Sequence, residues 1–196
     1  MANVRVKKLK VADQALVDII LLGHVDETAV SIIAANLQAV MGLNTRIQPV
    51  LDKPDYAYLP GRRQYDAAKI LSALADIADE TPFKLGLTEY DLCTPILTFV
   101  YGESQLGGKA AVISLQRLSD QDLQQTYLRA TKISLHEVGH LLGIGHCWQP
   151  DCLMHFSSNL EKLDSLNPRF CAACEYEIGR RLKTQFGQEA APFPES

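Results

Sequence analysis

Three histidines and one glutamate lie close together in the stretch SLHEVGHLLGIGH, which runs from Ser134 to His146. His136 and His140 are four residues apart, so on an α-helix they lie one turn apart on the same face, near enough to bind one cation. Imidazoles at this spacing are typical zinc ligands. Glu137 is rotated by about 100° around the helix axis, which places it beside the ion as a base and not as a ligand. The stretch therefore predicts a metal site that carries a base.

His146 can be a third ligand only if the helix ends before it. On a continuous helix His146 would lie about 9 Å beyond His140 along the axis and on another face. Gly143 and Gly145 intervene, and because glycine adopts positive φ, they can end the helix and turn the chain back toward the ion. Three histidine ligands leave the fourth coordination position for water, which is the arrangement of a catalytic zinc.

These groups together suit the hydrolysis of a peptide bond. Zinc lowers the pKa of its bound water toward about 7 and polarises a carbonyl oxygen, while Glu137 accepts the proton and passes it to the leaving amine. We therefore predict a zinc-dependent metallopeptidase that acts on peptides or proteins. Two alternatives stay open. One is an amphipathic helix with surface histidines, which leaves the glycine turn unexplained; the other is a zinc-stabilised peptide-binding module with little or no turnover, which needs no base.

Four of the five cysteines form a second pattern directly after the histidines. Four residues separate Cys147 from Cys152 and two separate Cys171 from Cys174, spacings that are usual for the two halves of a structural zinc site. Four thiolates leave no open position, so we expect this zinc to hold the irregular C-terminal region together. One alternative is that Cys171 and Cys174 form a redox CxxC motif, but this would leave Cys147 and Cys152 without a role, and the strand that usually precedes such a motif is missing. The other alternative is that the four cysteines are unrelated buried thiols. Cys93 has no partner in the sequence, and we interpret it as a buried thiol.

The elements that position these residues can be predicted from periodicity. Buried strands are expected where β-branched and apolar residues run together, and helices where apolar residues recur every three to four positions. The predicted strands are 17–23, 45–51, 83–89, 95–102 and 110–116, and the predicted helices are 27–42, 65–80, a long helix from about 122 to 142 that carries the histidines, and 174–184. Strands and helices alternate first and strands cluster later, which predicts an α/β (α+β) fold with helices packed on a mixed twisted β-sheet.

The length of the chain predicts one domain, because 196 residues suffice for one core and are too few for two full-sized domains. Within this single catalytic domain, 1–196, we distinguish an N-terminal subdomain, 1–143, which includes the active-site helix. A small irregular C-terminal subdomain, 144–196, contains the cysteine zinc site and a C-terminal helix. We expect the protein to act as a monomer.

The charge and the cysteines restrict the partners and the compartment. A net charge of -4 gives no electrostatic reason to bind nucleic acid, and no apolar run is long enough to cross a membrane. We therefore expect a peptide or protein substrate as partner, with neither nucleic acid nor membrane. Five cysteines without a secretory signal indicate thiols or metal ligands in a cytoplasmic protein.

The combined motif resembles that of a known family. Three histidines with a helix-ending glycine resemble the metzincin clan of zinc peptidases, and the continuation through HC, CLM and CAAC resembles the archaemetzincins. The resemblance implies a metzincin-like fold, with Glu137 as base and Met154 as the methionine of the turn beneath the catalytic zinc. It implies two zinc ions per chain, a catalytic one on His136, His140 and His146 and a structural one on Cys147, Cys152, Cys171 and Cys174.

Two further expectations concern the cleft. Some metzincins carry a tyrosine two residues after the methionine, able to stabilise the transition state; this chain has Phe156 there, so any oxyanion donor must come from elsewhere. The metzincin arrangement also has an edge strand along the cleft, to which an extended peptide adds through main-chain hydrogen bonds. We predict that residues 110–115 form this strand.

Overall fold

The computed structural model describes residues 15–78 and 81–187, which fold around a central five-stranded sheet. The strands are β1 (Val17–Leu21), β2 (Thr45–Ile47), β3 (Tyr58–Leu59), β4 (Gln64–Asp66), β5 (Phe83–Thr88), β6 (Leu92–Cys93), β7 (Gly102–Ser104) and β8 (Ala110–Ser114). The α-helices are α1 (Glu27–Met41), α2 (Ala67–Ala75), α3 (Leu123–Leu141), α4 (Leu160–Ser165) and α5 (Ala172–Phe186). The predicted mixed α/β fold is confirmed. No helix within the described ranges is long and apolar enough to cross a membrane.

The central sheet has the strand order β2-β1-β5-β8-β7. The first four strands are parallel, and β7 pairs with β8 in the antiparallel direction. All residues of β1, β5 and β8 are buried because helices cover both faces of the sheet. Val17, Ile19 and Leu21 of β1 pack in one apolar cluster with α1 and α3, whereas Ile20 packs with α2 on the other face.

The first two helices begin at aspartate caps, as their sequences allow. The Asp26 carboxylate accepts a hydrogen bond from the backbone N–H of Thr28, and α1 ends at Gly42 with φ 69, so its predicted glycine stop is confirmed. Asp66 caps α2 by accepting from Ala68. Helix α2 is shorter than the predicted 65–80, and positions 79 and 80 lie outside the described residues.

The predicted strand 95–102 is wrong over most of its length. Residues 95–98 form bends, Val100 makes a single bridge to Leu92, and regular pairing begins only at Gly102. The reason is a side chain from a distant part of the sequence. The guanidinium of Arg62 donates hydrogen bonds to the carbonyls of Thr94, Leu97 and Thr98 at 2.8–2.9 Å. It thereby satisfies backbone acceptors that a sheet ladder would otherwise have to satisfy.

The prediction that residues 110–115 form the edge strand is also wrong. Strand β8 lies between β5 and β7 and is buried throughout. The edge position belongs to β7, whose three residues are half-buried. Ala110–Ser114 therefore has hydrogen-bonding neighbours on both sides and offers no free main-chain groups to a peptide.

Helix α3 places the histidine motif against the sheet. The Asp122 carboxylate caps it by accepting from Gln124 N–H at 2.9 Å, and its C-terminal half is mostly buried. After α3 the chain is irregular as predicted, except for the short α4, which Asn159 caps by accepting from Lys162 N–H. Helix α5 is the predicted last helix and begins two residues earlier than expected, at Ala172.

Candidate active site and second metal centre

The three motif histidines converge at the C-terminal end of α3. The Nε2 atoms of His136 and His140 are 3.0 Å apart, and one ring nitrogen from each of the three histidines lies within 4.8 Å of the others. His136 Nδ1 donates to the carbonyl of Leu153 at 2.8 Å and His140 Nδ1 to that of Ile144 at 2.7 Å. Carbonyl oxygens only accept hydrogen bonds, so the proton of each neutral ring is on Nδ1 and both Nε2 atoms present lone pairs. Two lone pairs 3.0 Å apart fit a shared cation, and three nitrogen ligands fit zinc.

Burial keeps these histidines in the form that binds metal. It lowers the pKa of His136 to about 4. Burial also lowers the pKa of His140 and that of His146. The neighbouring His136 adds to the fall in the pKa of His140. Near neutral pH the rings are therefore uncharged, as metal ligands must be.

One glycine makes the turn that brings His146 to the other two. Gly143 has φ 83, and its N–H donates to the carbonyl of His140 at 2.7 Å. Its position is also crowded, because a Cβ there would collide with the guanidinium of Arg181, which donates to the Leu142 carbonyl at 3.0 Å. Gly145 is not in the left-handed region, so the prediction that both glycines make the turn is correct for Gly143 alone.

Glu137 lies against the edge strand β7, which sequence reasoning did not connect with it. Its Oε2 accepts a hydrogen bond of 2.5 Å from the Ser104 hydroxyl. A Cβ at Gly102 would come within 2.8 Å of Glu137 Oε1, so the strand can pass this close only with glycine there. Burial raises the pKa of Glu137, and the hydrogen bond from Ser104 and the electrostatic influence of His140, when that ring is protonated, partly oppose the rise. A buried carboxylate beside three histidines is suited to accept a proton near neutral pH.

Met154 packs against α3, beside Gly139. It is fully buried, and a Cβ at Gly139 would come within 2.7 Å of its sulfur. Gly139, between the two helical histidines, therefore provides the space into which Met154 packs. The next two residues face the cleft: His155 Nδ1 bonds to the Cys147 carbonyl at 3.0 Å, and the Phe156 ring centroid lies 5.3 Å from that of His146.

Replacing Gly139 by alanine should destabilise the fold and weaken zinc binding. The added methyl group overlaps the Met154 sulfur, and overpacking of this kind costs about 1–3 kcal/mol, more than the up to about 1 kcal/mol that alanine gains in helix propensity. Urea unfolding and chelator competition measure the two effects. Gly145→Ala is the matched control, because no atom lies within 4 Å of its added Cβ. A Gly139→Ala protein that matches wild type in both measurements would contradict the packing argument.

The four predicted cysteines form a second cluster. Their sulfur atoms lie within 4.8 Å of one another, and all four are free thiols. The Cys171 N–H donates to Cys152 Sγ at 3.3 Å and the Gln149 N–H to Cys147 Sγ at 3.5 Å. Burial raises the pKa of Cys171, but hydrogen bonds from the Cys174 N–H and the neighbouring thiols outweigh it, so the net shift is downward. Four sulfur donors with supporting N–H groups fit a closed zinc site. Cys93 is buried away from this cluster.

The two clusters share one short segment of chain. Cys147 follows His146 directly, and its N–H donates to the Met154 carbonyl at 2.8 Å. Leu153, whose carbonyl orients His136, lies between Cys152 and Met154. The same loop therefore contributes thiols to one cluster and orients a histidine of the other.

A cleft of about 500 Å³ runs over the histidines. Its floor is formed by α3, one wall is the segment 97–104 that ends in β7, and the other wall is formed by the chain from Leu153 to Leu166. Both Glu137 and the three histidines line it. A cleft of this size that contains a base and a set of metal ligands is the usual arrangement of an active site.

Comparison with known proteins agrees with this arrangement. Peptidase family M54 matches residues 27–180 of the chain. The archaemetzincin of Methanopyrus kandleri is 41% identical over 130 residues, 66% of this chain and 74% of that protein. The archaemetzincin of Methanocaldococcus jannaschii is 35% identical over 159 residues, 78% of this chain and 87% of that protein. The crystal structure of the M. kandleri archaemetzincin superposes with a TM-score of 0.79 at 33% identity, covering 85% of this chain and 94% of that one. On the extent of these matches, the chain belongs to the archaemetzincins, peptidase family M54, and is a zinc metallopeptidase.

Proposed function

We propose that this metallopeptidase hydrolyses peptide bonds at the three-histidine cluster, with Glu137 as general base, and that the four cysteines hold a second, structural zinc. The observation that carries the proposal is the convergence of three uncharged histidines beside a buried carboxylate in one cleft. The histidine cluster leaves room for water and substrate, whereas the cysteine cluster supplies all four ligands that a closed site requires.

The proposed mechanism assigns a separate role to each neighbouring side chain. His136, His140 and His146 would hold a zinc ion, which when bound would make a nearby water more acidic and polarise the substrate carbonyl. Glu137 accepts the proton of the attacking water, and its raised pKa brings it closer to the working pH of a base. The Ser104 hydroxyl fixes one oxygen of this carboxylate by donating to it. Once protonated, Glu137 can donate the proton to the leaving amine.

We assign peptide binding to β7 in place of residues 110–115. In the described sheet β7 pairs on one side only, with β8, and its residues line the cleft beside Glu137. An extended peptide that adds to this strand gains main-chain hydrogen bonds without regard to its side chains. Its backbone then lies along the cleft above the histidines, close to the base.

The chemistry of the cysteine cluster supports the cytoplasm as the compartment. Its four members are free thiols, and a cysteine binds zinc as a thiolate, whereas oxidation to a disulfide would remove the ligands. A reducing compartment preserves them. The net charge of -4 supports the absence of nucleic acid among the partners.

Metal analysis combined with a peptide library tests the proposal. We expect two zinc ions per chain and cleavage that stops on chelation and returns when zinc is added back. Cleavage that survives complete zinc removal would contradict the mechanism. Peptide binding without any turnover would instead favour a zinc-stabilised binding module.

A further inference from the structure

One end of the cleft contains a buried cation that the proposed mechanism does not use. Lys132 precedes His136 by four residues on α3, so it lies on the same face, about 6 Å away along the helix axis. Its side chain lines the cleft, yet the residue is only 1% exposed. A charged group this deeply buried normally has a carboxylate partner.

No carboxylate in the described part of the chain lies within 4.0 Å of the Lys132 ammonium. Its Nζ donates to the carbonyls of Leu163 and Asp164 at 3.0 and 3.1 Å. An ammonium has three hydrogens, so one remains without an acceptor. The Asp164 carboxylate is occupied by two hydrogen bonds of 2.8 and 2.7 Å from Arg129 and one of 2.7 Å from Gln125. Burial and the charge of Arg129 lower the pKa of Lys132, and the charge of Asp164 opposes that fall only in part.

A second polar group in the same cleft also lacks a partner. The Ser157 hydroxyl is buried and makes no hydrogen bond, and Ser157 lines the cleft. The surrounding walls are apolar, since Ile133, Leu163 and Leu166 are all buried and line the same cavity. Buried polar groups without partners are rare in folded proteins and call for an explanation such as a ligand.

The other acids of the cleft do not neutralise this cation. Glu103 and Glu137 interact with each other instead, because burial and the charge of Glu137 raise the pKa of Glu103. Glu137 is hydrogen-bonded to Ser104 on the opposite wall. The cleft therefore has an uncommitted ammonium hydrogen on Lys132 and an uncommitted hydroxyl on Ser157, and both groups can donate to an anion.

We propose that this end of the cleft binds a carboxylate of the substrate, so that the enzyme prefers peptides with an acidic group close to the scissile bond; the inference rests on the proposed peptidase function. Lys132 and Ser157 donate to the carboxylate, and the methylene groups of the substrate pack against the apolar wall. One residue of an extended peptide spans about 3.4 Å. The 6 Å along α3 therefore puts the carboxylate within about two residues of the scissile bond. The side chain of Glu or Asp and the C-terminal carboxylate of a peptide share this chemistry.

Matched peptides test the preference independently of turnover. The zinc-loaded Glu137→Gln protein is titrated with peptide pairs that carry Glu or Gln at each position around the scissile bond, and with pairs that end in a carboxylate or an amide. At one position we expect the charged peptide to bind about ten to a hundred times more tightly, the range of a charge-assisted hydrogen bond. The side-chain and C-terminal series show which source of carboxylate is recognised. Equal binding within every pair, or no binding of any carboxylate peptide, overturns the proposal.

Two variants separate recognition from folding. Lys132→Met should abolish the preference; if it fails to fold, because Lys132 also holds the end of α4, Ser157→Ala still tests the pocket. The Ser157 hydroxyl has no partner within the described protein, so its removal should leave the fold intact and reduce the charged-to-neutral ratio severalfold. Ser158→Ala is the matched control, an exposed serine of the same wall that should not change the ratio. If Ser157→Ala retains the full ratio, the pocket is wrongly assigned.

Failure of this inference and failure of the proposed function give different results. Wild-type protein that cleaves neutral and acidic peptides equally well is a peptidase without the carboxylate pocket. Protein that binds acidic peptides preferentially and cleaves none has the pocket without the chemistry.

Discussion

Replacing Glu137 by glutamine should remove most of the hydrolysis while both of the proposed zinc ions stay bound. Glutamine has nearly the same shape, so it fits against Gly102 and its amide oxygen still accepts from the Ser104 hydroxyl. It cannot accept the proton of the attacking water, and loss of general base catalysis lowers kcat/KM by about 10²–10⁴. The zinc content should not change, because Glu137 is not part of either ligand cluster. Steady-state kinetics with the best library peptide and metal analysis of the same sample measure both effects.

Glu103→Gln is the matched control for this prediction. Glu103 lies on β7 in the same cleft and is partly buried, and its pKa is also raised, by burial and by the charge of Glu137. If Glu137 is the base, the control should retain kcat/KM within a few-fold of wild type. Equal losses of kcat/KM in the two variants would indicate that both glutamates contribute to general base catalysis. If the Glu137→Gln protein turns over substrate near the wild-type rate, Glu137 is not the general base.

The sequence predicts the parts of the site that depend on local spacing. His136 and His140 converge because one helical turn separates them, and His146 joins them because Gly143 adopts positive φ. These geometric relations hold over a few residues and need no knowledge of the rest of the chain. The grouping of the four cysteines followed from spacing in the same way.

The contacts made by distant segments could not be predicted. Ser104 and Glu137 are 33 residues apart in the sequence, and nothing in either segment indicates their hydrogen bond. The strand predicted at 95–102 is wrong over most of its length because Arg62, more than 30 residues away, binds the carbonyls of a segment whose composition is typical of a strand. Sequence patterns report which residues are apolar and how they repeat, but they do not report which side chain will satisfy a given backbone group. The cleft beside Lys132 was missed for the same reason, since its walls come from α3 and from the chain around α4.

Replacing Cys171 by alanine should remove the structural zinc and also weaken zinc binding at the histidines. The first effect follows from the loss of one of four thiolate ligands. The second follows from the loop that the clusters share. The Leu153 carbonyl orients His136, and Cys152 precedes Leu153 directly, so a zinc ion on the cysteines would fix the loop that holds this histidine. Loss of an outer partner of a metal-binding histidine typically lowers metal affinity about 10- to 100-fold. Metal analysis followed by chelator competition measures both.

The structure also predicts where Cys171→Ala loosens. Helix α5 begins immediately after Cys171 and packs through Ile178 and Leu182 on the main core. That apolar contact remains without zinc, so hydrogen exchange should rise first in the loop from Cys147 to Met154 and later in α5. The order matters, because early loosening of the loop is what would couple the two metal sites.

Cys93→Ala provides the control for the same chemical change. Cys93 is fully buried and lies outside the thiol cluster, so its replacement should cost only the packing of one sulfur atom and leave both zinc ions bound. A Cys171→Ala protein that loses one zinc and holds the other with wild-type affinity would contradict the coupling, and the shared loop would then be stiff enough without its metal. If both zinc affinities fall together and activity falls with them, the structural site acts on catalysis through the Leu153 carbonyl and His136.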